Sequence, residues 1–206
     1  HPAKLGIYDD LLTYQLGNTK NPSVLNMLNV KYAINDPNGK AELNSNALGN
    51  VWFVKGVKFV TGPESEMRSL DNFNPADTAV IDESFKANIG AFTPAQQGET
   101  IRQTNFDNDA ITYESQTNAP HLAVFSEIFY KDWKAYVDGQ PATYAKCNYV
   151  LRTMVIPAGK HKIEFKFEPK VYYTGKKIAA ISSWLVFMIL LCAIAFPFIR
   201  PQKNQA

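Results

Sequence analysis

Seven aromatic residues, Phe125, Phe129, Tyr130, Trp133, Tyr136, Tyr144 and Tyr149, fall within 25 positions of one another. Aromatic rings on a β-rich scaffold can stack on sugars, because the C–H groups of a pyranose match a π face. The same density also serves core and hairpin packing, which needs no ligand. Tyr130, Trp133, Tyr136 and Tyr149 are the candidate glycan contacts.

Other reactive residue types are weaker signals. His1, His121 and His161 can share a metal only if the fold gathers them. His121 follows a proline at a strand start and His161 follows a turn, so both read as turn or strand-edge residues. Asp107-Asn108-Asp109 resembles the start of a calcium loop, but Ile111 takes the next ligand position and no glycine or distal glutamate follows in register. The pairs Asp9-Asp10 and Asp82-Glu83 offer carboxylates for acid–base work, yet sequence neighbours diverge in direction, and solvated faces account for them. Nucleotide-binding glycine patterns, a nucleophile elbow and an HExxH motif are absent. No catalytic residue, metal or cofactor is assigned.

The elements that would position these residues are short. Residues 2–30 read as helix, with Leu5, Tyr8, Leu11, Leu12 and Leu16 at helical spacing, Gly17 as a stop, and Asn21-Pro22 as an N-cap and first-turn proline. A short helix is predicted over Glu64–Leu70. Strands are predicted at Val30–Ile34, Val51–Val54, Lys58–Thr61, Ala79–Ile81, Thr100–Asn105, Ala110–Gln116, His121–Phe129, Lys134–Val137, Ala142–Ala145, Val150–Ile156 and His161–Phe167. The last alternates strictly, with His161, Ile163, Phe165 and Phe167 on one face and Lys162, Glu164, Lys166 and Glu168 on the other. Returns at Asp138-Gly139 and Pro157-Ala158-Gly159 are expected to join the final four strands into a meander. Many short strands without long crossover helices predict a mainly β protein: an antiparallel, jelly-roll-like sandwich with N-terminal helices. The Asn-rich stretch Asn35–Asn50 reads as a loop.

From Ile178 to Ile199 the chain carries no charge, with Lys176 and Lys177 before it and Arg200 and Lys203 after it. Its length matches the roughly 30 Å hydrocarbon core of a bilayer, and only Ser182 and Ser183 interrupt the apolar surface. Trp184 suits the headgroup level, and Pro197 lies in the last turn, where a lost hydrogen bond costs least. The alternative is a wholly buried core helix. Before this span the 19 acidic residues face 19 basic ones, so a neutral domain gives no electrostatic case for nucleic acid. Cys147 in the polar part and Cys192 in the apolar span cannot pair across the two compartments. The expected organisation is a helical segment over 1–30, a β-sandwich over 31–173, a transmembrane helix over 178–199 and a short tail over 200–206. The start at His1, with neither an initiator Met nor a signal peptide, reads as a piece of something longer.

One stretch is specific in its wording: EIFYKDWKAYVDG from Glu127 to Gly139, Asn148-Tyr149, and IPAGKHKIEF from Ile156 to Phe165. Together with HPAKL at His1, YDDL at Tyr8, LNMLNVKY at Leu25 and ALGNVWF at Ala47, it resembles the C-terminal region of bacterial YfhO-type membrane proteins, in the same order. The resemblance implies a multi-spanning protein of glycosyltransferase-C type, with many membrane helices, a β-rich extracytoplasmic domain and a final membrane helix in the bacterial cytoplasmic membrane. It further implies glycosylation of a cell-envelope polymer from a polyprenyl-phosphate-linked sugar. The partners would be the lipid bilayer, the rest of the full-length protein and an envelope glycan or polyprenyl-linked sugar. The family's catalytic carboxylate belongs to an early loop between membrane helices that has no counterpart in this sequence. No catalytic role is therefore carried over, and the segment is not expected to be catalytic alone. The alternative is a non-catalytic, membrane-anchored module that binds glycan or protein. About a dozen upstream apolar spans would favour the first reading. A signal peptide just before His1 would favour the second.

Overall fold

Alternation along the chain decides which side chains enter the core. In the computed structural model, which describes residues 5–17, 20–34 and 39–199 (side chains through Phe196), Ile163 and Phe165 are fully buried. Lys162, Glu164 and Lys166 alternate with them on the opposite face. His1, most of the HPAKL stretch and the tail 200–206 lie outside the described residues. The chain divides into one unit through Phe167 and a second from Glu168.

In chain order the first unit contains α1 (Gly6–Leu11) running into a π-helical turn (Leu12–Leu16), then α2 (Pro22–Met27), β1 (Tyr32–Ala33), β2 (Glu42–Leu43), β3 (Val51–Val54), β4 (Gly56–Val60), α3 (Pro63–Ser69) and β5 (Thr78–Asp82). A 3-10 helix (Glu83–Asn88) leads to β6 (Thr100–Phe106), β7 (Ala110–Thr117), β8 (His121–Ile128), β9 (Trp133–Val137), β10 (Gln140–Ala142), β11 (Ala145–Cys147), β12 (Leu151–Ile156) and β13 (Gly159–Phe167).

Two antiparallel sheets form the sandwich, a five-stranded one in the order β10-β9-β13-β7-β6 and a four-stranded one in the order β11-β12-β8-β3. Between them lie Ile111, Tyr113, Ala135, Ile163 and Phe165 from one sheet and Ala123, Phe125, Met154 and Ile156 from the other. The alternate residues of the four-stranded sheet, Val54, Leu122, Val124 and Leu151, face a second core. That core is completed by Leu11, Val24, Met27, Met67 and Leu70 from the helices and by Ala79, Val80 and Ile81 from β5. The four-stranded sheet is thus the middle layer, buried on both faces.

The N-terminal helices are held by the polar side chains that flank them. Asn21 Oδ1 accepts from the Ser23 N–H at 3.0 Å, which is the expected N-cap, with Pro22 in the first turn. Its Nδ2 donates to Gln15 Oε1 at 2.8 Å and to the Leu70 carbonyl at 2.8 Å. Gly17 follows the π turn, where a Cβ would come within 2.6 Å of the Thr13 carbonyl oxygen.

Two features depart from the sequence reading. β4 and β5 pair in parallel through the α3 crossover, so the strands are not all antiparallel. The final strands are also not a meander. β9 and β10 form a hairpin in the five-stranded sheet, β11 and β12 lie in the four-stranded sheet, and β13 returns to pair with β9 and β7. The run Ala142–Ala145 therefore breaks between two sheets, at Thr143-Tyr144. Tyr144 turns inward there, packing on Phe165 at 5.4 Å between centroids and donating its hydroxyl to the Trp133 carbonyl at 3.1 Å.

The second unit holds α4 (Lys170–Ile199), a single helix whose Lys170–Phe196 portion is long and apolar enough to cross a membrane. It starts eight residues ahead of the apolar run, because only Pro169 stands before it as a breaker, and the Pro169 carbonyl accepts from the Tyr173 N–H at 3.2 Å. Trp184, Phe187, Leu190 and Phe196 of this helix are exposed. Ser183 satisfies its hydroxyl on the Ala179 carbonyl at 2.8 Å, as a polar side chain in an apolar helix requires.

Candidate functional site

Trp133 opens β9, where it pairs with Phe167 at the end of β13. Its half-buried ring lies 5.5 Å from the Phe167 ring, and Tyr130 lies 6.1 Å from Phe167 on the same end of the sandwich. Beneath them, Arg152 places its guanidinium carbon 4.2 Å from the Trp133 centroid and 5.1 Å from that of Phe165. Its Nε and Nη2 both donate to the Ile128 carbonyl, at 3.1 and 3.0 Å. Arg152 is only 2% exposed, and its Nη1 has no hydrogen-bond partner among the described residues.

Two clefts flank Trp133. One of about 300 Å³ is lined by Tyr130, Trp133, Phe167, Glu127, Asn108 and Arg152, among others. Burial pushes the Glu127 carboxyl up, opposed by the positive charge of Arg152. Burial also lowers the affinity of Arg152 for its proton. The other cleft, of about 420 Å³, is lined by Trp133, Tyr136, Tyr144, Phe129 and Phe85. The Lys166 ammonium sits 5.2 Å over the Tyr136 ring.

Three of the four aromatic candidates, Tyr130, Trp133 and Tyr136, therefore gather around this pair of clefts. Tyr149 does not join them. It borders a separate cleft with Asp10, Tyr14 and Met67 and is almost fully buried. Its N–H donates to Glu66 Oε1 at 2.9 Å, its carbonyl accepts from Lys146 Nζ at 3.2 Å, and its hydroxyl donates to Asp10 at 3.2 Å. Most of the remaining aromatic density is packing: Phe125, Phe165 and Tyr113 meet edge to face at 4.8–6.2 Å.

The Asn148-Tyr149 motif is a structural clamp. Both residues adopt left-handed backbone, with φ of 48° and 70°. Asn148 stands in for a strand: its N–H donates to the Val80 carbonyl at 2.7 Å and its Oδ1 accepts from the Val80 N–H at 2.8 Å. Below it, fully buried Glu66 pairs with Lys146. Desolvation raises the Glu66 carboxyl while Lys146 pulls it back.

The histidines serve different places. His121 is 1% exposed, with Nδ1 2.6 Å from the Thr93 carbonyl and Nε2 2.9 Å from Glu99. Glu99 also accepts from the N–H groups of Gln96 and Asn118, the former bond leading the effects that hold its carboxyl down at about 2. His161 binds Asp138 instead. The Asp107-Asn108-Asp109 segment is the β6–β7 turn, closed by the Asp107 N–H on the Ala110 carbonyl at 2.8 Å. Of the acidic pairs, Asp82 caps the 3-10 helix through the Ser84 N–H at 2.9 Å and also holds the Gly62 N–H at 2.7 Å, which lowers its carboxyl.

The site missed from sequence is the pair Glu127 and Arg152. A signal was present in the alternation: Glu127 falls on the face of β8 shared by Ala123 and Phe125, and Arg152 on the face of β12 shared by Met154 and Ile156. A charge on a core face needs a reason.

The fold and this end surface define a β-sandwich membrane protein with an aromatic, charge-neutral cleft. Residues 91–179, which run from before β6 into α4, match the model of the family described as bacterial membrane protein YfhO. No curated protein matches the chain.

Proposed function

We propose that the β-sandwich is the extracytoplasmic domain of a YfhO-type membrane protein. In this reading it supports sugar transfer from a polyprenyl-phosphate donor to a cell-envelope polymer by binding or orienting the acceptor. The observation that carries the reading is the gathering of half-buried Tyr130, Trp133 and Tyr136 around two clefts at one place on the sandwich. Partly exposed rings beside a few polar groups suit a ligand that is apolar on its faces and hydroxylated at its rim. Over residues 31–173 the domain has 15 basic and 17 acidic residues, so its net charge is small and recognition would rest on stacking and hydrogen bonding. The 206-residue chain is assigned no transfer activity of its own.

The test is made in the full-length protein. Tyr130→Ala combined with Tyr136→Ala removes stacking surface while sparing the buried core. Glycosylation of the envelope polymer should fall by at least about tenfold, with unchanged protein level and thermal unfolding. Undiminished transfer would make the sandwich a separate binding module.

A further inference from the structure

Arg152 is almost fully buried at the wall of the cleft. Two of its three nitrogens share the Ile128 carbonyl, Trp133 and Phe165 lie against its guanidinium, and the buried Nη1 has no partner among the described residues. An arginine with so little freedom presents its remaining N–H groups in a set direction, and a buried donor left unpaired is costly. The same cleft holds Glu127, which is half-buried and makes no hydrogen bond or salt bridge with a described residue. Asn108, exposed in the β6–β7 turn, adds an amide, and Tyr130 adds an aromatic wall.

We infer that the cleft bounded by Glu127, Arg152, Asn108 and Tyr130 is a subsite for a single neutral pyranose ring, held through a vicinal diol. The carboxylate and the guanidinium offset each other's charge, so neither an anion nor a cation gains from entering. A diol satisfies both: one hydroxyl donates to Glu127 and its neighbour accepts from Arg152 Nη1. The C–H face of the ring lies against Tyr130. A volume of about 300 Å³ sits at the small end of the roughly 300–1,000 Å³ of small-molecule sites, enough for one ring and too little for an oligosaccharide. Trp133 acts here by holding Arg152 in place. The inference rests on the glycan reading of the domain and assigns it a specific pair of polar groups.

The experiment titrates the 206-residue chain in nanodiscs with methyl β-D-glucopyranoside, tetrahydropyran-2-methanol, glucuronate and glucose 1-phosphate, using saturation-transfer NMR. The glucoside should bind saturably. The ring that lacks the diol should bind at least about tenfold more weakly, because a site built to bond hydroxyls rejects a ligand without them. Glu127→Gln and Asn108→Ala should each weaken the glucoside while leaving Tm unchanged. Tighter binding of either anionic sugar, equal binding of the diol-free ring, or no glucoside binding would overturn the inference. Envelope polymer that bound wild type and Glu127→Gln equally would also overturn it while leaving the acceptor reading intact.

Discussion

His161 Nδ1 lies 2.7 Å from Asp138 Oδ2, and this contact fastens the β9–β10 turn to the start of β13. The other ring nitrogen faces the Ala158 carbonyl at 2.9 Å, so both nitrogens meet acceptors, as an imidazolium requires. Asp138 also accepts from the Lys162 N–H at 2.8 Å, and its own N–H donates to the Lys162 carbonyl at 2.8 Å. Asp138 and Gly139 both have positive φ, 51° and 79°, the geometry of a two-residue hairpin turn. Gly159 has φ 121°, and a Cβ there would come within 3.1 Å of His161 Nε2.

This contact predicts a pH dependence. The bond to Asp138, followed by that to Ala158, raises the His161 pKa above 6.5. A group whose folded pKa is raised contributes stability that is complete below its unfolded value and is lost as pH rises through the folded one. Stability should therefore decline above about pH 6.5, by no more than about 1 kcal/mol for so exposed a pair. Asp138→Asn should flatten that decline in denaturant titrations run from neutral to alkaline pH.

The core makes a sharper claim. Phe165 is fully buried between the sheets, against Phe125 at 5.0 Å and Tyr144 at 5.4 Å. Phe165→Ala should cost about 3–5 kcal/mol, whereas Lys166→Ala on the outer face should cost less than about 1 kcal/mol. Denaturant unfolding of the detergent-solubilised chain, followed by near-UV circular dichroism, separates the two. Equal effects would contradict the one-sided strand.

Glu66 and Lys146 form a buried pair in which one partner protects the other. Replacing Lys146 with Met leaves the carboxylate buried without its countercharge and should cost about 3–5 kcal/mol at neutral pH. Burial already raises the Glu66 pKa above 4.5, and loss of Lys146 raises it further. Protonation relieves the cost, so the variant should gain stability relative to wild type as pH falls toward about 4.5. A loss that does not change with pH would mean that packing, not charge, sets the penalty.

The proposed orientation is testable with thiols. Cys147 is fully buried and burial pushes its thiol well up, so it should resist labelling in the folded protein. Gln97 is exposed in the segment before β6. Gln97→Cys should react with a membrane-impermeant maleimide in intact spheroplasts, and Cys147 only after denaturation. Labelling of Gln97→Cys only after lysis would place the sandwich in the cytoplasm.

What the sequence determined by itself was local in origin. A period of two set the burial of β13, the Asp-Gly pair set the hairpin turn, and an uncharged run set a helix long enough for a bilayer. Each depends on neighbours a few residues apart. The tertiary structure decided the pairings between distant segments. Lys146 meets Glu66 from 80 positions away, and Arg152 reaches the carbonyl of Ile128 from 24. It also sent the chain from one sheet to the other at Tyr144, and set Tyr149 apart from Tyr130, Trp133 and Tyr136. Periodicity gives each side chain a face, but its partner depends on which sheets stack and in what register. That is settled only when the whole core packs.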